Sequence, residues 1–233
     1  MAHLADDVLR FVRATGPRPD ELLEEMDAYA EENGFPHVGP EVGGFLQLTA
    51  RLSGARSIFE FGSGYGYSAY WFAEALPENG EIVLTEVDEG ELEMAREYLA
   101  RGGYDELASY ELGDALDTIE RYDGPFDAVL IDHQKERYVE ALEAVRGKLA
   151  PGAVVIADNA MSAEDVVVFE DLLAHVEGQS VEMNEGTRGI ADYLDAVRSD
   201  PAFETQVLPL GEGIAVSRFE GKADNTEALG SRR

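Results

Sequence analysis

Two apolar runs in this 233-residue chain end in side chains that can hold a cation, and the first carries a lysine three residues further on. The run Phe126-Asp127-Ala128-Val129-Leu130-Ile131-Asp132 leads into His133-Gln134-Lys135-Glu136-Arg137-Tyr138, and Ala153-Val154-Val155-Ile156-Ala157-Asp158 leads into Asn159. One helical repeat separates them. Strands so connected run parallel, and both then end on the carboxyl edge of the sheet, where α/β proteins bind their ligands. Asp132, Asp158 and Asn159 therefore outline an oxygen-lined site for a hard divalent cation. Lys135 stands beside it as a candidate base. The plainer alternatives are helix capping by the two aspartates and a solvated surface lysine.

A second constellation follows an earlier apolar run. Glu60-Phe61-Gly62-Ser63-Gly64-Tyr65-Gly66 opens a helix, and side-chain-free positions with free backbone N–H groups let a ligand lie against such a turn. Gly62, Gly64 and Gly66 spell G-x-G-x-G, whereas the dinucleotide fingerprint is G-x-G-x-x-G, and position 67 is tyrosine. A carboxylate at Glu60 repels a pyrophosphate but suits a sulfonium, so S-adenosylmethionine fits better than NAD. Glu86 closes the next strand, where a carboxylate can accept both ribose hydroxyls, and Asp114, followed by Ala115, closes the third and is expected to face the adenine. Plain turn formation by the glycines and capping by Glu86 or Asp114 are the alternatives. Tyr65, Tyr67, Tyr70 and Trp71 read as packing beside the loop, and His3, His37 and His175 as structural or surface residues.

The elements that must position these groups show in the periodicity. Leu4, Val8, Phe11 and Val12, then Leu22, Leu23, Met26 and Ala30, then Val42, Phe45, Leu46, Thr49 and Leu52 recur at helical spacing. Three helices therefore precede the first strand, with Pro40 in a first turn. From residue 57 the pattern alternates: strand SIFEF, helix to about Leu76, strand EIVLTEV, helix ELEMAREYLA, strand ASYEL, a short helix, strand FDAVLID, a helix from Tyr138 to Leu149, strand AVVIAD. Such alternation predicts an α/β fold, a mostly parallel sheet with helices on both faces. Helices are expected near 162–176 and 188–199, and ETQVLPL and GIAVSRF around Leu210-Gly211-Glu212-Gly213 form an antiparallel hairpin. One domain over 1–219 is the expectation, its first 55 residues serving as lid and dimer contacts, with residues 220–233 a disordered tail.

Composition bounds the partners. With 48 acidic against 18 basic residues the formal charge is −30, which disfavours nucleic acid and anionic membranes. Only Lys135, Lys148 and Lys222 are lysines. This acidic, lysine-poor balance suggests a salt-loving host. Without cysteine, metal must be held by oxygen or histidine. No run approaches the roughly 18 apolar residues of a membrane span and the N-terminus is acidic, so a cytoplasmic location is expected.

Together these segments resemble the cation-dependent O-methyltransferases, the group containing catechol and caffeoyl-CoA O-methyltransferases, over about residues 35–219. The likeness is strongest at Asp132-His133-Gln134-Lys135-Glu136-Arg137-Tyr138 and Ala157-Asp158-Asn159, and Pro40-Glu41-Val42-Gly43 looks like that family's entry to the cofactor site. The resemblance implies a Rossmann-like seven-stranded methyltransferase fold with an antiparallel C-terminal hairpin. It implies that Asp132, Asp158 and Asn159 ligate Mg²⁺, that Lys135 accepts a phenolic proton, and that Glu86 holds the ribose. Val42, Gly62 and Ser68 would surround the methionine part, His133 would lie near the adenine, and Asp192 with Asn159 and Lys135 would face a small hydroxylated acceptor. Two positive neighbours, Mg²⁺ and the sulfonium, would favour the neutral form of Lys135. Relatives dimerise, so a homodimer is implied. The chain departs from the catechol enzyme at Gln134, where that group carries tryptophan, and residues 160–187 match neither relative. A metal-independent methyltransferase of the same fold, a dehydrogenase and a non-catalytic cofactor-binding subunit remain as rival readings.

Overall fold

The computed structural model describes residues 6–221. Within them α1 (Asp6–Thr15), α2 (Glu21–Asn33) and α3 (Gly39–Ser53) precede β1 (Ser57–Phe61), α4 (Tyr67–Ala73), β2 (Glu81–Glu86), α5 (Glu89–Gly102), β3 (Ala108–Leu112) and α6 (Ala115–Ile119). The chain continues through β4 (Phe126–Ile131), α7 (Tyr138–Arg146), β5 (Leu149–Ala157), α8 (Phe169–Val176), α9 (Glu185–Ser199), β6 (Phe203–Leu208) and β7 (Ile214–Phe219). Leu4, His3, Lys222 and most of the expected C-terminal tail lie outside the described residues.

All seven strands join one sheet in the order β3-β2-β1-β4-β5-β7-β6. The pairs β1·β2, β1·β4, β2·β3 and β4·β5 are parallel, and β7 runs antiparallel to both β5 and β6. The order reverses between β1 and β4, and this crevice is where a doubly wound sheet takes its ligand. Register then fixes the chemistry: Leu130 pairs with Ile156 and Ile131 with Ala157, which sets Asp132 and Asp158 side by side one position further on. A one-residue slip would turn the buried Ile131 and Ile156 to the wrong faces, each worth about 1.5–3 kcal/mol when fully buried.

Strand side chains alternate between two cores. On one face Phe59, Phe61, Val129, Ile131 and Val155 pack against Tyr138, Ala141 and Val145 of α7 and Ile190, Leu194 and Val197 of α9. On the other, Ile58, Leu84, Leu130 and Ile156 pack against Leu23, Met26, Val42, Leu46, Trp71 and Leu99 of the N-terminal helices, α4 and α5. Asp20 caps α2 and Asp88 caps α5 by accepting backbone N–H bonds, and Gly34, Gly54 and Gly103 end their helices in the left-handed region.

Several boundaries shift: the helix expected to reach Leu149 ends at Arg146, and Leu149 already begins β5. The expected helix over 162–176 begins only at Phe169, because Val166, Val167 and Val168 are β-branched, and Ala163 instead bridges Val167 in a short antiparallel contact. The last helix starts at Glu185, three residues early, because Asn184 caps it by accepting from the Thr187 N–H.

Candidate active site

The first strand hands the chain to the glycine loop, and the loop is tied to the sheet from both sides. Ser63 N–H donates to the Thr85 carbonyl at 2.9 Å, Thr85 Oγ1 donates to the Glu60 carbonyl at 2.6 Å, and Gly64 N–H donates to Glu86 Oε2 at 3.0 Å. Gly62 has φ +86, and a Cβ there would lie 2.4 Å from the Asp132 carbonyl oxygen, so the loop and the end of β4 touch backbone to backbone. Gly66, φ +87, lies so close to α5 that a Cβ would meet the Ala95 Cβ at 2.7 Å. Glu86 also accepts from the Val87 and Asp88 N–H groups, at 2.7 and 3.1 Å, which aims its carboxylate before any ligand arrives.

At the ends of β4 and β5 the ladder runs on: Asp132 N–H donates to the Phe61 carbonyl at 2.8 Å and Asp158 N–H to the Ile131 carbonyl at 3.1 Å. Lys135 lies in a tight 3-10 turn, Lys135–Arg137, and its Nζ donates to Asp132 Oδ1 and to the Tyr138 hydroxyl, both at 2.8 Å. Tyr138 donates in turn to the Asp158 carbonyl at 3.2 Å. The turn is held from behind by α9, where Gly189 comes so close that a Cβ would lie 2.3 Å from the Lys135 carbonyl oxygen. Asp158 is 5% exposed, and its Oδ1 has no hydrogen-bond partner. Burial first, then the Asp132 charge, pushes its carboxyl well above the usual range. An orphaned, buried carboxylate oxygen beside a second carboxylate is what a cation would satisfy. Among the described residues no three His, Cys, Asp or Glu side chains form a metal cage. The residues that would hold a cation here are Asp132, Asp158 and, through its amide oxygen, Asn159, and their all-oxygen chemistry fits a hard divalent ion such as Mg²⁺.

These groups open on one cavity of about 670 Å³, within the size range of small-molecule sites. Gly62, Gly64, Ser68, Glu86, Asp132, Lys135, Asp158 and Asn159 line it, as expected from the sequence. The other expected residues stand elsewhere. Glu60 is fully buried behind the loop; neither oxygen makes a regular hydrogen bond, and burial lifts its carboxyl to about 8, the Asp132 charge adding to this while the Ser68 hydroxyl opposes it. His133 turns inward between Phe61 and Tyr138, its ring centroids 5.6 and 5.5 Å from theirs, and burial lowers its imidazole to about 4. Asp114 caps α6 through the Leu116 N–H and pairs with Arg137 at 2.7 Å, with Ala115 buried behind it. Its carboxyl is held low mainly by that guanidinium.

Two expectations are corrected. Val42 is a core residue of α3 beneath Gly211, and Val38 lines the cavity in its place. The chain holds two consecutive Pro-x-Val-Gly runs, Pro36-His37-Val38-Gly39 and Pro40-Glu41-Val42-Gly43, and it is the first that reaches the site. Asp192 is exposed on α9 and outside the cavity wall; the carboxylate facing Asn159 is Glu212, on the turn between β6 and β7, accepting from Asn159 Nδ2 at 2.9 Å. Phe35, His37, Tyr65, Tyr67, Ala163, Glu164 and Val166 also line the wall. His37 is paired with Asp27 at 2.6 Å and stacks edge-on against Tyr67.

A sheet in the order 3-2-1-4-5-7-6 with a glycine loop after β1 defines the class of methyltransferase-like α/β folds, and solved structures agree. The O-methyltransferase TomG of Streptomyces achromogenes, determined with SAM, superposes with a TM-score of 0.79 at 26% identity over 92% of this chain and 96% of its own. The family is equally clear from sequence. The O-methyltransferase family profile matches residues 18–219. A catechol O-methyltransferase of Niastella koreensis is 36% identical over 214 residues, 89% of this chain and 90% of that protein. Caffeoyl-CoA O-methyltransferase 1 of Arabidopsis thaliana is 25% identical, over 92% and 85% respectively. This chain belongs to the O-methyltransferase family.

Proposed function

We propose that the chain transfers the methyl group of S-adenosylmethionine to a hydroxyl of a small acceptor with vicinal, catechol-like hydroxyls, with Mg²⁺ assistance. One observation carries the reading: Asp132, Lys135, Asp158 and Asn159 converge on a single cavity that the glycine loop and Glu86 also line. Glu86 would take the ribose hydroxyls. Gly62, Gly64 and Ser68 would lie along the methionine part, and Glu60 behind them would offset the sulfonium charge. A divalent cation would stabilise the acceptor's oxyanion and fix its angle. The protein's own work is to hold the acceptor in line with the methyl group and to take its proton at Lys135 Nζ, which Asp132 and Tyr138 orient.

Removing divalent ions with EDTA should abolish turnover while cofactor binding, followed by calorimetry, persists; full turnover in EDTA would establish the metal-independent reading. Lys135→Ala should slow the chemical step by about 10²–10⁴-fold with cofactor affinity retained. A homodimer is proposed through the groove that Phe45, Leu48, Leu52, Val154 and Val216 line, where Leu48 and Leu52 are 49% and 79% exposed. Light scattering tests it. Among the described residues no helix is long and apolar enough to cross a membrane.

A further inference from the structure

We propose that Glu212 is a positioning residue that fixes the Asn159 amide so that its carbonyl oxygen, rather than its NH₂ group, is offered to the cation; the inference rests on the metal reading above. A carboxamide presents two nearly isosteric ends, and only the oxygen can ligate. A carboxylate is an acceptor only, so Glu212 Oε2, 2.9 Å from Asn159 Nδ2, selects the NH₂ end and leaves Oδ1 free. The contact joins elements 53 residues apart, and both are locked in place.

On one side, Asn159 holds a left-handed backbone, φ +55, a region asparagine enters more readily than most non-glycine residues. On the other, Glu212 stands between two glycines of positive φ. A Cβ on Gly211 would meet Val42 Cγ2 at 2.9 Å, and one on Gly213 would meet Met161 Cγ at 2.4 Å. The turn is thus pressed between α3 and the segment after β5. Three backbone bonds then lace that segment to the turn: Ala160 N–H donates to the Gly213 carbonyl at 2.7 Å, and Met161 and Ser162 N–H both donate to the Glu212 carbonyl, at 3.3 and 2.9 Å. Neither partner can drift without breaking this lacing, so the side-chain bond is built in. Groups that orient a metal ligand typically alter metal affinity by about 10–100-fold when removed.

The test is Mn²⁺ binding to the full chain, read from the electron paramagnetic resonance signal of the free ion, in the wild type, Glu212→Ala, Glu212→Gln and Asn159→Asp. Glu212→Ala should weaken Mn²⁺ binding by about 10–100-fold. Glu212→Gln, whose amide oxygen still accepts from Nδ2, should stay near the wild type. With Mg²⁺ in turnover, the Ala variant should show a raised KM for the ion and a kcat that recovers at saturation. In the Asn159→Asp background no amide remains to orient, and adding Glu212→Ala should then cost nothing. Unchanged binding in Glu212→Ala, or Gln as weak as Ala, or an equal loss in the Asn159→Asp background, would overturn the assignment, the last two by showing that only the charge matters. If the wild-type chain bound no Mn²⁺, the metal reading itself would fall and this inference with it.

Discussion

Glu60 places a carboxyl where water cannot reach it, and the consequence can be measured. Its folded-state value of about 8 lies above the 4.5 of the free side chain, so between these values the native chain holds a proton that the unfolded chain has released. Stability from this group is therefore present at acid pH and is lost as pH rises toward about 8. Without cofactor, wild-type stability from urea unfolding should fall between pH 5 and pH 8 more steeply than that of Glu60→Gln. Equal slopes would show that Glu60 does not titrate in this window. On the proposed function a sulfonium close by favours the anion, so S-adenosylmethionine should bind with proton release below pH 8, and its neutral sulfide product without it. At this scale the chemistry was legible where it is attached to strand ends: Asp132, Lys135, Asp158, Asn159 and Glu86 all reach the cavity wall. Local spacing could not choose between two adjacent Pro-x-Val-Gly runs, because which valine reaches the site depends on how α3 docks. Nor could it find Glu212, because its contact with Asn159 is made by the folding of the C-terminal hairpin onto the end of β5.

Between elements, α9 packs closely against the turn carrying Lys135. A Cβ on Gly189 would lie 2.3 Å from the Lys135 carbonyl oxygen and 2.5 Å from Glu136 Cα, both backbone atoms that cannot swing aside. Gly189→Ala should force the turn and α9 apart at a cost of about 1–3 kcal/mol, seen as a lower Tm, and should move Lys135 enough to depress kcat while cofactor affinity holds. Unaltered Tm and kcat would mean that the helix accommodates the methyl group without strain at the turn. Strand and helix identities followed from period alone, since buried parallel strands read as unbroken apolar runs and the helices as amphipathic repeats. The segment 162–168 did not, because Ala163, Val166 and Val167 are apolar in a cavity wall and a local bridge rather than along a helix face. Asp114 carries the capping reading: it lies just past β3, outside the cavity wall, and caps α6.

For the molecule as a whole, the formal charge of −30 dominates. Long-range repulsion among 48 acidic side chains opposes compaction in dilute buffer, and at about 1 M salt the screening length shrinks to about 3 Å, which removes it. Tm should therefore climb between 0.1 and 3 M KCl, and a Tm independent of salt over that range would refute the idea that folding is charge-limited. Ion pairs such as Glu25 with Arg101 and Arg146 with Asp200 are surface contacts worth little by themselves, and they leave most of the acidic excess uncompensated. The cavity wall has a division of labour that runs through the entire chain. The groups assigned to chemistry ride on the ends of β1, β2, β4 and β5, whereas Phe35, Pro36, His37 and Val38, and Ala163, Glu164 and Val166, come from connectors that the sheet does not need. On the proposed function, exchanging the connector that carries Ala163, Glu164 and Val166 with a relative's should retune what enters while leaving the strand-end groups in place, so descendants of this scaffold could change diet without relearning how to methylate.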